Sequence, residues 1–189
     1  MTDAPNPLSD TRISAIAQRI DRPVVLVGLM GVGKSTVGKR LAELLNLDFV
    51  DADDEIEAAS QMQISEIFDQ FGEPYFRDGE RRVISRLISD RIGVIATGGG
   101  AFCDAQTRAL ILEQAIAVWI DADIATLVER TSRKNTRPLL QNGNPEEILT
   151  RLYHERKPAY SQAPVHVMSQ AGPHAQTAYN ILEAIDQWL

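Results

Sequence analysis

The stretch Gly28-Leu29-Met30-Gly31-Val32-Gly33-Lys34-Ser35-Thr36 constrains this chain more than any other. It follows the apolar run Val24–Val27 and precedes Val37, Leu41, Leu44 and Leu45, which recur at helical spacing. Strand, glycine loop, helix is the context in which Gly-x-x-x-x-Gly-Lys-[Ser/Thr] holds phosphates. Glycines at 28, 31 and 33 let the backbone curl so that several N–H groups point into one concavity, and the helix N-terminus adds partial positive charge. A nucleotide's phosphates would then be held by Gly31, Val32, Gly33, Lys34, Ser35 and Thr36. Lys34 would reach the β- and γ-phosphates, and the Ser35 hydroxyl is placed to ligate Mg²⁺.

The acceptor must be sought in the rest of the chain. At 189 residues it is expected to form one domain with a proper core. A formal charge of -7 argues against a nucleic-acid or membrane-surface partner, since both need a positive field at long range. Any anion is therefore bound by a local cluster. The single cysteine, Cys103, excludes an intramolecular disulfide, and no Cys/His array has zinc spacing. Cys103 is read as a buried inert thiol, and His154, His166 and His174 as surface or core-edge residues. No apolar stretch approaches the roughly 20 residues of a membrane span, and the N-terminus lacks a basic region followed by an apolar core. A cytoplasmic monomer is expected.

Strands are expected at 24–27, 47–51, 94–97, 115–120 and 165–168, and helices at 53–59, 64–71 and 74–89, the last with Val83, Ile84, Leu87 and Ile88 on one face. Strands alternating with helices indicate an α/β fold with a parallel sheet and right-handed crossovers. Ligands of such sheets bind at the carboxyl ends of the strands. The glycine loop, Asp51 to Asp54 and Gly98 to Gly100 should therefore converge. Residues 1–21 read as an N-terminal arm carrying an amphipathic stripe of Ile13, Ile16, Ala17 and Ile20, and residues 22–189 as a single domain. The irregular stretch from Arg133 to Pro145 suggests a lid, placed at about 131–144.

Several blocks together resemble the shikimate kinases: GLMGVGKSTVGKRLA, FVDADDEIE, IFDQFGEPYFRDGE, VIATGGGA, RPLL and LYHERKPAY, in that order. The resemblance extends over about residues 23–188. It implies a three-layer P-loop kinase fold like that of nucleoside-monophosphate kinases, with a mostly five-stranded parallel sheet, a mobile lid and an acceptor-binding region at about 52–90. It also implies that ATP, with Mg²⁺, phosphorylates the 3-hydroxyl of shikimate on the way to chorismate and aromatic amino acids. By position, Asp53 would hold the reacting hydroxyl, Arg77 and Arg156 would grip the carboxylate, and Gly98, Gly99 and Gly100 would line the acceptor pocket. Ser35 and Asp51 would serve the metal. Lys34 and Arg137 would meet the transferring phosphate, and Arg130 would approach the nucleotide.

The residue chemistry agrees without naming the acceptor. A planar guanidinium forks onto a carboxylate, so arginines around a pocket in an acidic protein suit a small anion. Asp53 can orient a hydroxyl and accept its proton, and phosphoryl transfer needs positioning more than a strong base. Asp51 and Asp53 point to one side if the strand continues through them. Plainer accounts stand beside these: helix capping for the acids at 51–55, an i to i+3 salt pair for Arg77 and Glu80, and core packing for Phe68 and Phe76.

Some features depart from the pattern or fall outside it. Ala159 stands where a larger apolar residue is expected, Ser169 to Pro173 carries no base-specific signature, and the N-terminal helix lies outside the resemblance. The rival readings are another small-metabolite kinase, such as a gluconate kinase, and a nucleotide-dependent binding module without turnover.

Overall fold

The computed structural model describes residues 8–133, 140 and 142–189. Along the chain follow α1 (Asp10–Arg19), β1 (Val24–Val27), α2 (Lys34–Leu45), β2 (Asp48–Asp51), α3 (Ala52–Ser60), α4 (Ile64–Phe71) and α5 (Glu73–Asp90). Then come β3 (Gly93–Ala96), a 3₁₀ turn at Ala101–Cys103, α6 (Ala105–Gln114), β4 (Ile116–Asp121), α7 (Ile124–Ser132), α8 (Pro145–Tyr160), β5 (Val165–Met168) and α9 (His174–Trp188). The strands form one sheet in the order β2-β3-β1-β4-β5, with every neighbouring pair parallel. This is the expected three-layer α/β architecture.

Burial follows position in the sheet. β1, β3 and β4 are buried along their whole length, which explains their unbroken apolar runs. The edge strand β5 alternates buried and exposed residues, and β2 is only partly covered. The crossover from β1 runs outward to β2, whereas those leaving β2, β3 and β4 run the other way. Right-handed connections therefore put α2 on one face and α5, α6 and α8 on the other. The order reverses beside β1, and the glycine loop leaves the carboxyl end of that strand, where such sheets bind ligands.

The N-terminal helix finds its partner within the chain. Ser9 caps α1, and Ile13, Ile16 and Ile20 join the main core where α1 meets α2 and α9. Arg12 and Arg19 both reach Asp186 of α9.

Two local expectations need correction. The strand does not continue through Asp53: it ends at Asp51, whose carboxylate caps α3, so Asp51 and Asp53 are not related by strand alternation. The expected stripe on α5 also divides between two cores. Ile84 and Ile88 enter the main one, while Val83 packs on a smaller cluster of Ile56, Ile67 and Phe76. Phe68 lies against Phe76 with 4.5 Å between the centroids of the tilted rings within that cluster, so both rings are packing residues. Ala159 is half-buried on α8 rather than in the core, which accounts for the tolerance of a small side chain there. Among the described residues, no helix is long and apolar enough to cross a membrane.

Candidate active site

The loop after β1 owes its shape to glycine. Gly28, Gly31 and Gly33 all have positive φ. At Gly28 a β-carbon would also stand 2.3 Å from the Ile120 carbonyl oxygen of β4, so the loop could not leave the sheet at this angle with any other residue. Lys34 begins α2 and is only 9% exposed. Its ammonium donates to the carbonyl oxygens of Gly28 at 2.6 Å and Leu29 at 3.0 Å, which folds it over the loop it belongs to. Ser35 and Thr36 follow in the exposed first turn of α2.

One carboxylate joins this loop to the next segment. Asp51 Oδ2 accepts from the Ser35 hydroxyl at 2.6 Å, and Asp51 Oδ1 accepts from the Asp53 backbone N–H at 3.0 Å. The capping alternative and the metal-binding alternative therefore fall on the same residue. Among the described residues no group of three His, Cys, Asp or Glu side chains could hold a metal ion. Ser35 and Asp51 offer two adjacent hard oxygens, a donor set that suits Mg²⁺, which keeps several waters and takes phosphate oxygens as further ligands.

Asp53 projects from the first turn of α3. Burial and the neighbouring charge of Asp51 push its carboxyl up to about 6, with Lys34 pulling the other way. Across from it, on α5, Arg77 donates to Glu80 at 2.7 Å, the salt pair expected from the i to i+3 spacing. Glu80 is 1% exposed, and burial pushes it up to about 7 against the opposing charge of Arg77. Arg81 does not join the pair; it turns to Asp78.

The three glycines after β3 make room for these side chains. A β-carbon on Gly98 would stand 2.9 Å from Asp53 Oδ1, one on Gly99 3.0 Å from Arg156 Nη1, and one on Gly100 2.2 Å from Arg77 Nη2. Side chains from α3, α8 and α5 thus close on a single turn of backbone. Beyond it opens a cavity of about 940 Å³ whose lining includes Arg77, Gly100, Cys103, Asp104 and Arg156. A separate cavity of about 290 Å³ lies at the β2 edge, beside the Asp48–Arg91 and Glu55–Arg86 ion pairs, and contains none of these groups.

Arg130 is brought to the phosphate loop from α7. Its guanidinium donates to Val32 O at 3.2 Å, Ser169 Oγ at 3.1 Å and Gln170 O at 2.8 Å, tying the loop after β1 to the loop after β5. Arg137 lies outside the described residues, as does most of the stretch expected to form a lid.

Some contributions were not anticipated from the sequence. Cys103 is half-buried on the cavity wall rather than sealed in the core. His174, at the start of α9, sits against Gly33 with a buried Nδ1 that has no hydrogen-bond partner among the described residues. Tyr160, the last residue of the LYHERKPAY block, is fully buried and donates to Gly99 O. The glycine run and the block itself were the available signals for Tyr160; nothing local marked His174.

Residues 30–186 match the family model for shikimate kinase. The chain is 64% identical over 187 residues to a shikimate kinase of Novosphingobium aromaticivorans, covering 96% of each chain. It is 55% identical over 166 residues to one of Caulobacter vibrioides, covering 88% of this chain and 83% of the relative. The solved structure of a shikimate kinase from Acinetobacter baumannii in complex with shikimate is similar with a TM-score of 0.84 at 36% identity, covering 95% of this chain and 98% of that one. A family model matched along most of the chain, and relatives of this identity covered along most of their length, mean that the chain belongs to the shikimate kinase family.

Proposed function

We propose that the chain transfers the γ-phosphoryl group of ATP to the 3-hydroxyl of shikimate, giving 3-phosphoshikimate and ADP on the route to chorismate. The observation that carries this reading is the close approach of Asp53, Arg156 and Arg77 to Gly98, Gly99 and Gly100 beside the phosphate loop. It joins a hydroxyl-orienting carboxylate to guanidiniums suited to an anionic acceptor.

The roles follow from the chemistry of each group. The loop N–H groups from Gly31 to Thr36 receive the phosphates, and Lys34 moves from its loop carbonyls to the β- and γ-phosphate oxygens. Ser35 and Asp51 would hold Mg²⁺, which when bound would neutralise the charge that develops on the phosphates. Arg77, backed by Glu80, and Arg156 fork onto the shikimate carboxylate, which leaves the 3-hydroxyl at Asp53. As the new O–P bond forms and the bond to the ADP oxygen breaks, the hydroxyl proton passes to the Asp53 carboxylate. Arg130 steadies the nucleotide side, and Arg137 is assigned to the transferring phosphate on the family resemblance.

A cytoplasmic monomer belongs to the same reading. The need for ATP and the lone thiol support the compartment.

The test is ADP release with MgATP in the presence of shikimate, gluconate, a nucleoside monophosphate or no acceptor, with Asp53→Asn as control. Turnover with shikimate alone, lost or greatly reduced in the control, is expected. A folded, ATP-binding preparation that releases no ADP with shikimate would overturn the reading in favour of another acceptor or a binding module.

A further inference from the structure

Tyr160 stands where the acceptor arginine and the glycine turn meet. It ends α8, is 0% exposed, and rests beside Trp119 with 6.0 Å between ring centroids. Its hydroxyl donates to Gly99 O at 2.5 Å. Arg156, one helical turn earlier, and Cys103 are also neighbours of that hydroxyl. Burial holds the phenol above the ordinary tyrosine range, so it remains an O–H donor throughout the working range of pH. A second phenol secures the same helix on the other side of Arg156: Tyr153 donates to Asp121 Oδ2 at 3.3 Å.

The consequence lies in peptide geometry. The Gly99–Gly100 peptide is planar and trans, so the Gly100 N–H leaves on the side opposite the Gly99 carbonyl. The carbonyl is turned toward Tyr160 in the core. Gly100, the next residue, lines the large cavity together with Arg77, Arg156 and Cys103, so the orientation of this peptide sets the backbone of the cavity wall. A peptide between two glycines has no β-carbons to set its orientation, so a neighbouring group must do so.

We propose that Tyr160 is a positioning residue for the acceptor: by holding the Gly99 carbonyl it fixes the Gly99–Gly100 peptide at the cavity wall and keeps Arg156 in register beside it. This rests on the reading that shikimate occupies the cavity. Tyr160 itself touches no reacting atom.

The experiment is Tyr160→Phe in the full chain, with Michaelis constants for both substrates. Loss of one hydrogen bond that organises the site is expected to raise the shikimate constant about tenfold, with the ATP constant within about twofold of wild type. Combined with Arg156→Lys, the increase should be smaller than the product of the two single effects, because both act on one network. An unchanged shikimate constant beside an active wild type overturns the inference alone, and so does a rise in both constants, which marks a merely structural residue. A wild type that neither binds nor phosphorylates shikimate overturns the functional reading as well. Should the variant fail to fold, [¹⁵N]glycine-labelled wild type decides: the Gly100 amide resonance is expected to move on adding shikimate, and an unmoved resonance at saturation overturns the inference.

Discussion

Arg77 occupies the space that a side chain at Gly100 would need: a β-carbon there would stand 2.2 Å from Nη2 and 2.8 Å from Cζ. The Gly100 backbone lies at φ -94° and ψ -11°, which alanine adopts without strain. Gly100→Ala is therefore a test of the guanidinium rather than of the turn. Arg77 must swing away from its bond to Glu80, and the shikimate Michaelis constant is expected to rise about tenfold or more, as for loss of a charge-assisted pair. The ATP constant should hold. Equal effects on both substrates would mean that the turn itself had collapsed.

Asp51 caps α3 and is also the residue proposed to hold Mg²⁺, and substitution can separate the two roles. Asparagine caps a helix as well as aspartate does, so Asp51→Asn should retain the bond from the Asp53 N–H and melt close to wild type. Asp51→Ala should lose about 1 kcal/mol. Both remove the negative charge beside Ser35. The Mg²⁺ concentration for half-maximal activity is expected to rise about tenfold in each. A Mg²⁺ titration superimposable on wild type for Asp51→Asn would remove this residue from the metal site.

Glu80 makes the stability of the protein depend on pH. Its folded carboxyl lies at about 7 against an ordinary value of 4.5, chiefly because it is buried. A raised carboxyl means that the native state binds the extra proton between those values, so the contribution is fully present below 4.5 and is lost as pH rises through about 7. Glu80→Gln cannot ionise. The stability of wild type relative to the variant should fall over that window by on the order of 1–3 kcal/mol and level off above it. Urea unfolding at pH 4.5, 6 and 8 measures the difference, and a gap that stays constant across the three would show that Arg77 keeps the carboxylate ionised throughout.

Legibility in the sequence followed the range of the interaction. The phosphate loop, the buried strands and the Arg77–Glu80 pair are local patterns, and each is found where its spacing put it. Alternating strands and helices indicate a parallel sheet with right-handed crossovers but leave the order β2-β3-β1-β4-β5 open, because the same handedness is compatible with several orders. Other features depend on contacts between distant segments. The glycine run suggests close approach by a ligand, yet side chains of Asp53, Arg156 and Arg77 fill those spaces, each from a different helix. Asp51, not Asp53, takes the cap, because α3 begins at Ala52, one residue before its expected start, and this changes which carboxylate faces the first turn. His174 reaches Gly33 only because α9 returns beside α2, a proximity with no local signature.

Cys103 offers a chemical probe of the cavity. The thiol is half-buried on the wall shared with Arg77 and Arg156, and burial pushes its pKa up although both guanidiniums act in the opposite sense. The thiolate is the reactive form, so alkylation by iodoacetamide should be slow near neutral pH and accelerate as pH rises toward and beyond the ordinary thiol range. Shikimate should slow it further, by about tenfold at saturation, because the acceptor covers the same wall. Cys103→Ser should keep turnover within about threefold, since no step needs the sulfur. Mass spectrometry of the single labelled site reads the rate directly. Protection by ATP alone, with none by shikimate, would place the acceptor elsewhere and remove the cavity from the reaction.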